Sequence, residues 1–227
     1  MQIIEIFKSL QGESSYAGLP CVFVRLAGCN LRCVWCDSEY TFKGGSRMTH
    51  DEVMREVQRL SPNRGLVEIT GGEPMLQERE VVPLMERLLA GGYKVLLETS
   101  GERPLDRVPA GVIKIVDVKC PDSGEGETFR MENLRFLKPS DEIKFVVASR
   151  LDYEFAKEFV REHDVGTRVA SVILSPAFRK DATGSRDVAN CTLDPQVLAE
   201  WMLADGLEAR LGLQIHKFIW DPALKGV

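Results

Sequence analysis

The sequence predicts an α/β fold: a partial, open parallel β/α barrel of about six β/α units, formed as one domain over residues 1–227. Three observations predict it. Apolar, β-branched segments alternate with amphipathic helical ones along the chain, a pattern that implies parallel strands joined by right-handed crossovers. Six such strands follow the N-terminal segment, too few for a complete eight-fold barrel. Polar and glycine-containing motifs come directly after several of these strands, at the C-terminal ends where parallel barrels build chemistry. No linker or repeat divides the chain.

Taken in order, residues 1–7 are β-branched and aromatic and read as a short first strand or edge segment. Ser9–Ser14 is a polar break, and Gly18-Leu19-Pro20 closes the loop. Within it Gln11 and Glu13 flank Gly12. That arrangement reads either as an ordinary turn or as a polar clamp on a ligand ring. Residues 21–26 form a strand carrying one charge, Arg25, which alternates with apolar neighbours. Its guanidinium faces either solvent or a cavity, where it suits a carboxylate. Thr49 caps a helix and Glu52 completes a capping box. Val53, Val57 and Leu60 form the apolar stripe of that helix, and Pro62 and Gly65 end it.

A strand at 66–70 runs into Gly71-Gly72-Glu73-Pro74. A helix over about 78–90 and a strand at 93–98 follow, then a strand at 112–118 and a glycine-rich loop at 122–126. The spacing predicts a helix near 128–137, a strand at 142–147 and a helix over 151–163 with Leu151, Phe155, Phe159 and Val160 on one side. A strand at 168–174 leads to Ser175-Pro176-Ala177-Phe178. Residues 179–191 read as polar and irregular. Asp194 caps a last helix with Leu198, Trp201 and Met202, and 211–220 read as a final strand or extended arm.

Composition narrows the function. The chain is 44% hydrophobic and 28% charged, with a formal net charge of −5, ordinary for a globular protein. It lacks the basic stretch that tracks a phosphate backbone, which argues against nucleic acid as a partner. No apolar run approaches the ~20 residues of a membrane span. Residues 1–7 lack the basic start and long apolar centre of a signal peptide, so the expected location is the cytoplasm. Six cysteines in that setting point to metal or redox chemistry rather than disulfides. Cys21, Cys120 and Cys191 read as buried thiols.

The other three cysteines stand at C-x3-C-x2-C: Cys29, Cys33 and Cys36. Structural zinc takes four ligands, yet the next cysteine downstream is Cys120 and the first histidine is His50. Three thiolates on one loop suit a [4Fe-4S] cluster with one iron open to a small molecule. The alternative is three neighbouring thiols, with or without a zinc ion. At Gly71-Gly72 the backbone can approach a ligand closely, although the segment alone could be a turn.

The cysteine spacing, with Trp35 before the last cysteine and the Gly-Gly-Glu-Pro motif one unit later, resembles the radical S-adenosylmethionine (SAM) superfamily. Leu10-Gln11-Gly12-Glu13, Arg25 before Ala27-Gly28-Cys29, Cys36-Asp37-Ser38, Gln214-Ile215-His216-Lys217 and Trp220-Asp221-Pro222 narrow the likeness. Over nearly the whole chain the sequence is similar to the 7-carboxy-7-deazaguanine synthase family. That resemblance implies ring contraction of 6-carboxy-5,6,7,8-tetrahydropterin with loss of ammonia, toward deazapurines such as queuosine. It implies hydrogen abstraction at C6 by a 5′-deoxyadenosyl radical, rearrangement, and return of hydrogen with regeneration of SAM.

By position it implies cluster ligation by Cys29, Cys33 and Cys36. Pterin contacts fall on Leu10, Gln11, Gly12, Glu13, Arg25, Thr70 and the carboxylate of Val227, and His216 is either a substrate or wall residue or a core histidine. SAM contacts fall on Trp35, Cys36, Asp37, Gly72, Glu73, Lys119, Cys120, Pro121, Ser175, Pro176, Ala177 and Phe178. Magnesium falls to Ser38, where the family has a threonine; serine keeps the hydroxyl oxygen. Lys119-Cys120-Pro121 likewise differs from a serine-containing version of that segment. An electron donor such as flavodoxin or ferredoxin, and a homodimer, are also implied. Two competing readings are an activase that places a glycyl radical on a partner protein and a zinc or redox-switch protein without catalysis.

Overall fold

The computed structural model describes residues 1–227 apart from 181, 183 and 185. Its strands are β1 (Gln2–Leu10), β2 (Pro20–Leu26), β3 (Ser46–Arg47), β4 (Leu66–Gly71), β5 (Lys94–Thr99), β6 (Ile113–Asp117), β7 (Glu142–Val147), β8 (Ser171–Pro176) and β9 (Arg210–Leu211). Its helices are α1 (His50–Leu60), α2 (Glu78–Ala90), α3 (Arg150–Glu162), α4 (Val165–Arg168), α5 (Pro195–Ala204) and α6 (His216–Ile219). One open sheet runs in the order β3-β1-β2-β4-β5-β6-β7-β8-β9. From β2 to β9 every pairing is parallel. The six expected parallel strands are β2 and β4 to β8, and the barrel stays open.

Strand period sorts the side chains onto two faces. Outward, Val24, Ile69, Val95, Leu97, Val116, Phe145 and Leu174 are wholly buried in the main core with Val53 and Val57 of α1, Leu84 and Leu88 of α2, and Tyr153 and Ala156 of α3. Each such Val, Leu, Ile or Phe side chain contributes roughly 1.5–3 kcal/mol of burial. Inward, a smaller apolar floor holds Cys21, Phe23, Leu66, Leu96 and Ile115. Two residues further along the same inner positions the character changes to Arg25, Glu68, Glu98 and Asp117. The inner face is therefore apolar at the bottom and charged toward the mouth.

Several local expectations hold. Thr49 caps α1 with the full capping box, and Asp194 caps α5 by accepting from Gln196 N. Four differ. The first strand is nine residues long and pairs antiparallel with β2, so the sheet carries an antiparallel edge. The segment near 128–137 is a 3-10 helix, Met131–Phe136, without a side-chain cap. There Asn133 donates to the carbonyls of Gly101 and Arg103 and accepts from Leu105 N, tying the segment to the β5–β6 loop. Arg168 ends α4, and the strand begins at Ser171. The arm at 211–220 keeps one residue of strand, Leu211, and then turns into α6. Ile215, Phe218 and Ile219 recur there at helical spacing. Within 179–191 a 3-10 turn spans Val188–Asn190.

No helix among the described residues is long and apolar enough to cross a membrane. All six cysteines are free: Cys21 and Cys120 are buried as expected, and Cys191 is half-buried.

Candidate active site

The loop after β2 carries Cys29, Cys33 and Cys36, all half-buried and all facing one cavity at the mouth of the barrel. Its shape is fixed from two sides. Glu73 N donates to Gly28 O at 2.9 Å, and Val34 N donates to Ser123 O at 3.0 Å. Arg32 folds back, donating to the carbonyls of Cys29 and Leu31 while stacking on Phe42. Gly72 makes the approach possible: a Cβ there would collide with Gly28 O and lie 2.7 Å from Cys29 Cβ.

The residues fit a cluster. Burial raises the Cys29 thiol and pushes Cys33 up to about 11, with nearby Lys119 opposing the Cys33 shift and Asp117 and the other two thiols adding to it. Cluster ligation replaces those protons. A cubane offers each of three thiolates its own iron. One more feature fits a ligand: Asp117 Oδ1 is buried in the cavity wall without a hydrogen-bond partner. Its other oxygen accepts from Lys119 Nζ at 2.8 Å.

Just before the cysteine loop and Gly71-Gly72, Arg25 and Thr70 are register partners on the neighbouring strands β2 and β4, and both line the cavity. Arg25 therefore faces the cavity, not solvent. Glu5 Oε1 accepts from Arg25 Nε at 2.9 Å and from the Tyr40 hydroxyl at 2.8 Å. Burial lowers the Arg25 pKa, but Tyr40, Glu5 and Asp37 outweigh it and raise it further, so the guanidinium stays charged.

The loop between β1 and β2 drops into the barrel. Gln11 is buried; its amide donates to Glu68 and its Oε1 accepts from Glu13 N. Glu13 is gripped by Lys144, at 2.6 Å, and by Gln214, at 2.7 Å. Burial would raise the Glu13 pKa, but Lys144, His216 and Lys217 hold it down at about 2. Ser15 bonds Glu142 at the base of β7. Gly12 lies under the His216 ring, where any Cβ would collide. His216 lines the cavity, and burial lowers its pKa despite the Glu13 carboxylate.

The cavity thus gathers most of the residues the sequence singles out: Leu10, Gln11, Gly12, Glu13, Arg25, Thr70, His216, Trp35, Asp37, Ser38, Gly72, Glu73, Lys119 and Phe178, with the three cysteines. Ser38 lies with its Oγ 3.8 Å from Cys36 Sγ. Glu73 is wholly engaged, accepting from Met75 N, Thr99 Oγ1, Ser100 N and Ser100 Oγ. It locks the β4 loop to the end of β5 and has no oxygen to spare. Cys120, Pro121, Ser175, Pro176 and Ala177 fall outside the lining. Cys120 and Pro121 lead into the turn that supports Val34, and Ser175 lies under Gly212. Val227 stands one residue beyond Gly226, which does line it.

Four lining residues on the strands carry charge that the sequence pattern does not single out: Glu68, Glu98, Asp117 and Lys144. Lys144 is buried, bonded to Glu13 and, at 2.5 Å, to Glu98. Glu68 is buried beside Glu98, and desolvation with that neighbour's charge and hydrogen bond raises its carboxyl well above the ordinary range. The available signal is a charged residue at an inner strand position, the pattern that marks Arg25.

Residues 24–115 match the Radical SAM superfamily. A 7-carboxy-7-deazaguanine synthase of Koribacter versatilis is 69% identical over 227 residues, the whole of both chains. One from Chlorobaculum tepidum is 44% identical over all of this chain and 97% of its own. The crystal structure of QueE from Escherichia coli superposes with a TM-score of 0.70 at 24% identity, covering 93% of each chain.

Proposed function

This chain belongs to the 7-carboxy-7-deazaguanine synthase family of radical SAM enzymes, and we propose that its cavity converts 6-carboxy-5,6,7,8-tetrahydropterin to 7-carboxy-7-deazaguanine with loss of ammonia. One observation supports this reading of roles: Arg25 and Thr70 pair on the adjacent strands β2 and β4, the cysteine loop and Gly72 follow them directly, and all of them line one cavity. Cys29, Cys33 and Cys36 would hold a [4Fe-4S] cluster, which with bound SAM would supply the radical chemistry. The protein's own work is binding, orientation and exclusion of water.

On the cofactor wall, Trp35, Asp37, Gly72 and Phe178 supply surface for SAM, and Asp117 Oδ1 offers an open acceptor. Glu73 serves there through its structure, by holding the Gly71–Gly72 backbone against the cysteine loop. On the substrate wall, Arg25 is held through Nε by Glu5, which leaves its terminal nitrogens for the pterin carboxylate. Thr70, Gly12, Glu13 and His216 surround the ring. Holding one C–H bond in near-attack geometry selects it among several.

Magnesium falls beside Ser38, whose hydroxyl lies 3.8 Å from the Cys36 sulfur. Magnesium takes oxygen ligands and retains water, so one hydroxyl, the substrate and solvent can complete its shell. A one-electron reductant such as flavodoxin or ferredoxin, a homodimer and a cytoplasmic setting complete the reading. The test is anaerobic incubation with 6-carboxytetrahydropterin, SAM, magnesium and a reductant. Appearance of 7-carboxy-7-deazaguanine by mass is expected; its absence from a protein with full iron content would overturn the assignment.

A further inference from the structure

A single line of polar contacts crosses the mouth of the cavity. Lys217 Nζ donates to Asp37 Oδ2 at 2.7 Å and to Gln214 Oε1 at 2.9 Å. Gln214 Nε2 donates to Glu13 Oε1 at 2.7 Å, and Glu13 Oε2 accepts from Lys144 Nζ at 2.6 Å. Each group is directional and engaged. An ammonium has three donors; two are spent here, and Lys217 also rests 5.0 Å from the centre of the Phe178 ring. The Gln214 amide uses one end for each neighbour, so its orientation is fixed from both sides. Lys217 and Gln214 are both buried.

The two ends of this line belong to different loops. Asp37 follows the cluster ligand Cys36. Glu13 belongs to the loop that enters the barrel on the pterin side. The C-terminal segment joins them through Gln214 and Lys217. Its strand, β9, is two residues long and lies at the sheet edge. Beyond it the segment is held by Ile215 N donating to Gly12 O, by the Phe218–Phe178 edge contact at 5.4 Å, and by this polar line.

We propose that Lys217 and Gln214 are positioning residues that lock the pterin-side loop, Gln11–Glu13, to the SAM-side loop, Trp35–Asp37, in one fixed relation. This rests on the functional reading above for which ligand meets which wall; the lock itself does not. Cutting it leaves both loops able to bind but loosens the distance and angle between their ligands, which is where near-attack geometry is set.

The test uses the full chain with Lys217→Met, which keeps the stem on Phe178 without the charge, Lys217→Arg, and Gln214→Glu, which turns an acceptor toward Glu13. In protein without cluster, amide hydrogen exchange over residues 215–220 should speed up roughly tenfold or more in Lys217→Met and Gln214→Glu, with β4–β7 unchanged. Lys217→Arg should stay near wild type. In reconstituted protein reduced with dithionite, iron content should hold. The ratio of 5′-deoxyadenosine to deazaguanine product should rise several-fold in Lys217→Met and Gln214→Glu and recover in Lys217→Arg. Wild-type exchange and a wild-type ratio in both disrupted variants would overturn the lock. So would equal loss of protection across the whole sheet in both, which would make these residues general supports. If wild-type protein forms no deazaguanine, the functional reading fails, and the exchange data alone still decide whether the segment is held this way.

Discussion

The amide of Gln11 donates to the buried carboxyl of Glu68, so a glutamine that lines the cavity is anchored to β4 through its side chain. Glu68 shares a second hydrogen bond with Glu98. A carboxyl that serves a donor on one side and a carboxylate on the other does so best while it keeps its proton.

That gives a pH prediction. The folded state raises the Glu68 pKa above its ordinary 4.5. The group's stabilising contribution is therefore whole below about pH 4.5 and fades as pH rises through its folded pKa. Glu68→Gln keeps an acceptor for Gln11 and a donor for Glu98 but cannot titrate. Denaturation should find the variant more stable than wild type at pH 8, with the advantage vanishing near pH 4.5. Glu68→Ala should instead lose ~1–3 kcal/mol by orphaning the Gln11 donor. A pH-independent offset for Glu68→Gln would mean the proton is not held.

Removing one thiol tests the cluster. Wild-type protein reconstituted without oxygen should bind about four irons per chain and cleave SAM when reduced. Cys33→Ala should lose both. Full iron and full cleavage in that variant would contradict the ligand assignment.

Arg25 separates the two walls. Its Nε is held by Glu5, so truncation removes the terminal nitrogens without touching the cysteine loop. Arg25→Ala should weaken pterin binding by about 10- to 100-fold, the worth of a charged hydrogen-bonded contact. SAM affinity should change by less than about threefold on the same scale. Titration calorimetry with each ligand checks this, and equal losses would make Arg25 a support for the fold.

Gly72→Ala probes the close approach of the two motifs. The added Cβ meets Gly28 O and Cys29 Cβ, so the cysteine loop must shift. Overpacking of this kind costs ~1–3 kcal/mol. Iron uptake should fall by half or more while the far-ultraviolet circular dichroism is unchanged. Full iron uptake with normal SAM affinity would show that the loop tolerates the displacement.

Much of the architecture is legible in residue order because its causes are local. Strand period, the Thr49 capping box and the placement of polar loops after strands depend on neighbours a few residues apart. The helix near 128–137 fails for the opposite reason. Asn133 finds three backbone partners in the loop before β6, some thirty residues away in sequence, and those contacts override helical spacing. The arm at 211–220 fails similarly, because Gly12 and Phe178 receive its side chains only after the barrel has formed.

The chain's order of residues determined the class of fold, the three thiols on one loop, the glycine motif that abuts them, and an arginine on a strand with two possible faces. Only the tertiary structure decided which face Arg25 takes, that Glu73 is fully occupied, that Gln11 turns inward to Glu68, and that Lys217 reaches Asp37. The physical reason is that thiols on a tight loop are neighbours by covalent connection. A buried charge, by contrast, takes whatever partner removes the cost of its desolvation. Here those partners come from strands and a C-terminal segment separated by up to two hundred residues, at Glu13 and Gln214, and no local pattern records the pairing.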